Sequence, residues 1–326
     1  MTPQELCAAF KHRQRSALAK IITHVESDAP ASRLYADEVL ALLEKPAKPS
    51  IRIAISGPPG VGKSTFINTL GQKLLEYNFK IAILPIDPAS ELSFGSILAD
   101  KTRMASLLGR PDVYIRPSSS RGILGGINAA MSDVIFVVES FGFDLVIIET
   151  VGVGQSEALA YTLVDHFVVL LQPASGDFLQ AIKKGILERA DFILVNKADT
   201  ELQDQAKQSL EALSQGLPQH IYLSAISALT GMGIDNFLKN LLTKHAHKID
   251  THSLLKERKR RFEGFFNFAL QERLWPKVLE KISPIMPLSE ILEQVDQAAQ
   301  GEKALGPMLD YLCDNIIRKL GYKNYK

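Results

Sequence analysis

The chain has 326 residues, 46% of them hydrophobic, with 37 Lys+Arg against 36 Asp+Glu. That length can bury one large α/β core with helical additions, and the balanced charge excludes a global field that would draw in a polyanion or a membrane surface. Cys7 and Cys313, too few and too far apart, exclude a disulfide framework and a thiolate zinc site.

The first twenty residues mix charge into every turn, unlike a signal peptide. Apolar runs such as Phe167 to Leu171 fall far short of the ~20 residues that span a bilayer. The expected location is cytoplasmic, with no membrane partner. Residues 4–45 carry helical periodicity in two blocks, with Leu18, Ile21, Ile22 and Val25 on one face and Val39, Leu40, Leu42 and Leu43 on another. The two prolines of KPAKPS end this helical extension, 1–46. Short apolar runs then alternate with helical stretches: 51–56, 80–87, 144–150, 166–171, 191–197 and 220–225. Continuous apolar strands separated by helices predict an α/β fold, a doubly wound, mostly parallel sheet covered on both faces, over 50–246. Beyond 246 no strand pattern recurs. LLKERKRRFEGFFNFALQERLWPKVLEKI predicts a long helix to Pro276 or slightly beyond, and 288–320 is helical too, so 247–326 forms a C-terminal helical extension.

Gly57-Pro58-Pro59-Gly60-Val61-Gly62-Lys63-Ser64 matches GxxxxGK[ST] between an apolar strand and the helical pattern Thr65 to Tyr77. Glycines let the backbone curl so that N–H groups face the phosphates, and the helix N-terminus adds partial positive charge. Lys63 is expected at the β- and γ-phosphates and the Ser64 hydroxyl on Mg²⁺. This identifies a P-loop NTPase, and the base is read elsewhere. Asn196-Lys197-Ala198-Asp199 follows an apolar strand, which puts it at the carboxyl edge of the sheet. The Asp199 carboxylate, acceptor-only, can take both the N1–H and the 2-amino donors of guanine, whereas adenine presents an acceptor at N1. Discrimination thus includes a penalty on ATP. Ser224-Ala225-Ile226 is placed to give a backbone N–H to the guanine oxygen. GTP and GDP are the expected substrate and product.

Glu149-Thr150-Val151-Gly152 ends a strand with the form ExxG. An acid there would hold Mg²⁺ directly or through water, and the Gly152 N–H could sense the γ-phosphate. Asp87 ends another strand and Asp100 lies in SILADKTRM. Three carboxylates beside a triphosphate repel one another unless a divalent cation sits among them. Val153 stands where Ras-like proteins place a water-orienting Gln. Slow intrinsic hydrolysis follows, accelerated by a partner, with Gln155 and Lys183 as candidate groups.

The set GPPGVGKST, IDPAS, SILADKTRM, ETVGVGQSE, DFLQAIKKGI and NKAD, in this order over about residues 50–240, resembles the MeaB/ArgK/MMAA family of G proteins. The resemblance implies a GTPase chaperone of an adenosylcobalamin-dependent acyl-CoA mutase, chiefly methylmalonyl-CoA mutase, that gates cofactor loading and protects the enzyme. It implies that Lys63, Ser64, Asp87, Asp100 and Glu149 surround the β/γ-phosphates and Mg²⁺. It also implies a switch over 172–184, including Asp177, Gln180 and Lys183, that couples nucleotide state to the mutase, and a homodimer through the C-terminal helices. The chain departs from the family pattern in LQPASGDFLQ for LPGAGDELQ, DPAS for DPSS and ADKTRM for GDKTRM.

Three other readings compete. A P-loop kinase or ATPase linked to basic amino-acid transport lacks a reason to carry NKxD. A metal-delivery GTPase would need Cys/His clusters near the switches, and Cys7 and His166 form none. A nucleic-acid-binding GTPase would use Lys256, Arg258, Lys259, Arg260 and Arg261, a run expected instead to be a solvated helix face, with Phe262, Phe265, Phe266, Phe268 and Trp275 as core or dimer interface.

Overall fold

A computed structural model describes residues 1–46, 48–87, 104–119, 129–150, 155–173, 185–199 and 202–282. They belong to two compact units, Met1–Phe266 and Asn267–Lys326. In chain order the elements are α1 (Pro3–Lys11), α2 (Arg15–Val25), α3 (Pro30–Leu42), β1 (Ile51–Ser56), α4 (Lys63–Glu76), β2 (Ile81–Asp87), β3 (Val113–Ile115), β4 (Ser118–Ser119), α5 (Met131–Ser140), β5 (Leu145–Glu149), α6 (Gln155–Leu163), β6 (His166–Leu171), β7 (Phe192–Val195), α7 (Gln203–Gly216), β8 (Tyr222–Ala225), α8 (Ile234–Asp250) and α9 (Ser253–Ile282), with a 3-10 turn at Leu187–Arg189.

The first forty residues fold into three helices rather than two blocks: Arg13, with a φ of 59°, parts α1 from α2, and Pro3 and Pro30 each sit in a first turn, where a missing N–H costs little. Thr2 and Glu5 form a reciprocal capping box on α1. Leu18, Ile21, Ile22 and Val25 are buried as their spacing predicts, and α2 packs on α5. The Arg116–Glu26 pair at 2.6 Å ties α2 to the chain just after β3.

Every strand pairing is parallel, in the order β3-β2-β5-β1-β6-β7-β8, with β4 also on β2. β1 lies between β5 and β6, the strands that the chain reaches on opposite sides, and such a switch point opens a crevice at the carboxyl edge. The long strands are apolar throughout, as two covered faces require: β5 and β6 are buried at every position. The edge pieces β3 and β4 escape sequence reading because they are three and two residues long. Pro85 lies opposite Glu149 of β5, in the break between the β3 and β4 pairings. A residue without an N–H is tolerated where the outer ladder is interrupted. One face of the sheet packs on Phe66, Ile67, Leu70 and Leu74 of α4 and Phe237, Leu238 and Leu241 of α8, and each such side chain contributes about 1.5–3 kcal/mol when fully buried.

The basic run of α9 is not a solvated face throughout. Arg258 grips Asp165 through Nε and Nη2, both at 2.6 Å, and Arg261 lies with its side chain only 6% exposed. Carboxylates at the starts of β6 and β7 draw in these two guanidiniums. Burial opposes the charge of Asp165, but hydrogen bonds and charge from Arg258 and the backbone N–H of Arg52 outweigh it, so its carboxyl titrates below the ordinary range. A depressed folded pKa gives stability present above the unfolded value near 3.9 and lost as pH falls through the folded one. Asp165→Ala, which strands Arg258 in the interior, is expected to lower unfolding free energy by about 3–5 kcal/mol in urea titration at pH 7, with the loss shrinking toward acid pH. Phe265 of the aromatic cluster is buried, whereas Phe262 and Phe266 are exposed. Among the described residues, no helix is long and apolar enough to cross a membrane.

Candidate functional site

The loop from Gly57 to Gly62 joins β1 to α4, and its conformation demands its glycines. Gly57, Gly60 and Gly62 have φ of 147°, 76° and 100°, a region L side chains avoid. A Cβ on Gly57 would strike the Leu170 carbonyl, and one on Gly62 would lie 2.7 Å from Asn196 Nδ2. Gly62 is the N-cap of α4, so the helix starts at Lys63, two residues earlier than its pattern predicts. Lys63 Nζ donates to the carbonyls of Gly57 at 2.8 Å and Pro58 at 3.2 Å, holding its ammonium over the loop. Pro58 is half-buried, Pro59 and Gly60 are exposed, and Thr65 lies in the first turn of α4.

Outside donors fix the loop from its far side. Asn196 Nδ2 donates to the Val61 carbonyl at 2.7 Å. Gln172 Nε2 and Lys197 Nζ both donate to the Gly60 carbonyl, at 2.8 and 3.2 Å. A peptide unit is planar and trans, so holding the Val61 carbonyl toward Asn196 turns the Gly62 N–H away from it. Asn196 also accepts from the Ala228 N–H at 2.8 Å through Oδ1, and Thr69 of α4 donates to the Ala228 carbonyl at 2.7 Å. One amide, 2% exposed, thereby joins the phosphate loop to the turn after β8. Asn196→Ala leaves the Val61 carbonyl and the Ala228 N–H without this partner, at about 1–3 kcal/mol per buried group. The expected result is a lower melting temperature together with faster GDP release, measured by stopped-flow fluorescence.

The sequence points to NKxD for Asp199, but the buried Asn196 does the joining. Gln172 as a support for Gly60, and Thr69 and Ala228 as part of the frame, carry no signal in a single sequence. Lys197 takes a φ of 63°, which reverses the chain after β7 and leaves Asp199 exposed at the carboxyl edge. Ser224 and Ala225 end β8 opposite Leu194 and Val195. The Ile226 N–H donates to the Val195 carbonyl and its own carbonyl accepts from the Ala198 N–H, so the two base-side loops are stitched together.

Glu149 ends β5 opposite Ile55 of β1. Its Oε1 accepts from the Ser64 hydroxyl at 2.8 Å, and both side chains are buried. A hydroxyl and a carboxylate side by side form an all-oxygen donor set suited to a hard divalent cation. Asp87 closes β2, two strands from β1, with its backbone paired to Ser119. Asp100, Gly152, Val153, Asp177, Gln180 and Lys183 lie outside the described residues, and Gln155 begins α6. On the opposite edge His166 faces His245 at 3.3 Å. Burial, with the Lys248 charge next, pushes His166 down to about 2, and burial lowers His245 as well.

The profile of the family described as "Methylmalonyl Co-A mutase-associated GTPase MeaB" matches residues 18–283. A probable GTPase of Mycobacterium tuberculosis is 45% identical over 216 residues, 66% of this chain and 64% of that protein. The mitochondrial methylmalonic aciduria type A homolog of Mus musculus is 46% identical over 199 residues, 58% of this chain and 48% of that one. The chain thus matches less than two thirds of the length of these relatives. A crystal structure described as a LAO/AO transport system kinase superposes with a TM-score of 0.72 over 96% of this chain and 97% of its own, at 24% identity, which establishes the shared P-loop NTPase fold. With a family match over most of its length, the chain belongs to the MeaB family of methylmalonyl-CoA mutase-associated GTPases.

Proposed function

We propose that this chain binds GTP with Mg²⁺, hydrolyses it slowly, and acts as a chaperone of an adenosylcobalamin-dependent acyl-CoA mutase, most simply methylmalonyl-CoA mutase, gating cofactor loading and protecting the enzyme. The observation that carries the nucleotide reading is the Asn196 amide, which binds the phosphate loop and the turn after β8 into one frame. The phosphate loop after β1 and Asp199 after β7 both lie at the carboxyl edge of the sheet, as a shared nucleotide site requires. The family description supports the mutase as partner.

In this reading the Gly-rich loop and the start of α4 bind the β- and γ-phosphates, Lys63 neutralises charge on the transferred group, and Asp199 orients the base. Ser64 and Glu149, with Asp87 and Asp100, would hold Mg²⁺, which when bound offsets the negative charge of the phosphates. Gly152, Gln155, Asp177, Gln180 and Lys183 are the proposed groups for sensing the nucleotide and coupling it to the mutase. The homodimer and the cytoplasmic location belong to the same proposal. Exposed Leu255, Phe262 and Phe266, seven and four residues apart on one side of α9, support a partner-facing stripe.

The test is co-purification of mutase with tagged protein held in GDP and in a non-hydrolysable GTP analogue, beside turnover of labelled GTP and ATP. A nucleotide-dependent complex and GTP hydrolysis well below the ~10 s⁻¹ of a median enzyme are expected. Absence of any cobalamin enzyme in both states removes the chaperone reading, and a phosphorylated acceptor formed from ATP replaces it with a kinase.

A further inference from the structure

A cavity of ≈ 600 Å³, rich in charged side chains, opens at the amino-terminal edge of the sheet, where β7 begins at one end and Asn196 lies beyond the other. Its walls come from α6, the 3-10 turn, the residues before β7 and β8, α8 and α9. Five Lys/Arg side chains line it against three carboxylates. Two of these acids are engaged. Asp191 accepts the Phe167 N–H at 2.8 Å and lies 3.4 Å from Arg261 and 3.9 Å from Lys248. Glu257 lies 2.8 Å from Lys248. The third, Glu188, is exposed at the rim.

Among the described residues, Arg189, Lys244 and Arg260 form no ion pair. Lys244 Nζ donates only to main-chain carbonyls, of His220 at 2.8 Å and Asp191 at 3.2 Å, and stands 4.8 Å from the centre of the Phe192 ring. The Arg261 guanidinium lies 4.2 Å from the centre of the Tyr161 ring, with Arg189 at 5.7 Å from the same ring. Arg261 Nε is buried without a hydrogen-bond partner. Arg189 and Arg260 are exposed, but Lys244 is half-buried, and a charge withdrawn from water with no carboxylate at ion-pair distance among the described residues is costly. Here the cations are in surplus by two.

We propose that this cleft is a second anion site that takes a small phosphate-bearing molecule between Arg189, Lys244 and Arg260. The surplus of two positive charges matches a phosphate dianion, and three donors from three separate elements suit three terminal oxygens. The volume is that of a small-molecule site rather than a protein interface. The site is remote from the phosphate loop and independent of the partner assigned above.

The test uses the full chain saturated with Mg²⁺ and GDP, titrated with inorganic phosphate by calorimetry and phosphorus NMR. Arg189→Glu combined with Arg260→Glu, both at exposed positions, is expected to weaken phosphate binding at least ~10-fold while GDP affinity stays unchanged. Lys244→Gln provides a separate single-site arm and is expected to weaken phosphate as well. Phosphate lodged beside GDP at the phosphate loop would bind all variants as tightly as the parent chain. That result, or no binding up to about 10 mM, overturns the proposal. Should the double variant not fold, Lys244→Gln alone decides: unchanged binding overturns the site and weakened binding sustains it.

Discussion

Lys63→Ala is expected to slow GTP hydrolysis by about 10²–10³-fold, the usual cost of deleting one preorganised donor aimed at developing charge. The carbonyls of Gly57 and Pro58 hold its ammonium against the loop, in line with that role. Lys63 is half-buried and donates to main-chain oxygens of a loop already braced by Asn196, Gln172 and Lys197, so the melting temperature should move by only a few degrees. Single-turnover hydrolysis of γ-labelled GTP, run beside a fluorescent-GDP affinity measurement, separates lost chemistry from lost binding. A variant that hydrolyses within threefold of the parent would remove Lys63 from the transferred phosphoryl group. Lys63→Arg should rescue poorly, since a planar fork does not replace a compact ammonium at this depth.

The sheet was legible because covered parallel strands are apolar at every position: the runs at 51–56 and 166–171 coincide with β1 and β6. The phosphate loop was legible because its glycines are dictated by backbone conformation, with Gly57 and Gly62 facing the Leu170 carbonyl and Asn196. What stayed hidden depends on contacts between distant segments. Nothing local marks Gln172 as a donor to Gly60, or Thr69 as a donor to Ala228, since each contact joins segments more than a hundred residues apart. The basic run of α9 departs from the expected solvated face at Arg258 and Arg261 for the same reason, while Lys256, Lys259 and Arg260 are exposed. Its spacing fits a solvated face, and only the fold brings Asp165 to Arg258 and Asp191 to Arg261. Helix starts shifted where a cap overrides periodicity: α4 begins at Lys63 because Gly62 in the left-handed region opens it.

Asp199→Asn is the sharper test of base selection, and its expected result is a change of preference as well as a loss. The carboxylate can accept from both N1–H and the 2-amino group of guanine, whereas an amide offers one acceptor and one donor, so its NH₂ meets another NH₂. Two charge-assisted hydrogen bonds at about 1.5–3 kcal/mol each are lost, which corresponds to roughly 10²–10⁴-fold weaker GDP and GTP binding. Xanthine carries a carbonyl where guanine carries the amino group, so the same amide pairs with it and XTP should become the preferred nucleotide. Asp199 is exposed, so thermal unfolding should be unchanged. Competitive displacement of fluorescent GDP by GTP and XTP measures both affinities, and values for both within threefold of the parent chain would exclude Asp199 from the base contact. The contrast with Asn196→Ala separates the two halves of the motif. The buried amide spans two loops, so its loss is expected to lower stability and all nucleotide affinities together, whereas the exposed carboxylate is expected to meet only the base, so its loss exchanges one nucleotide for another.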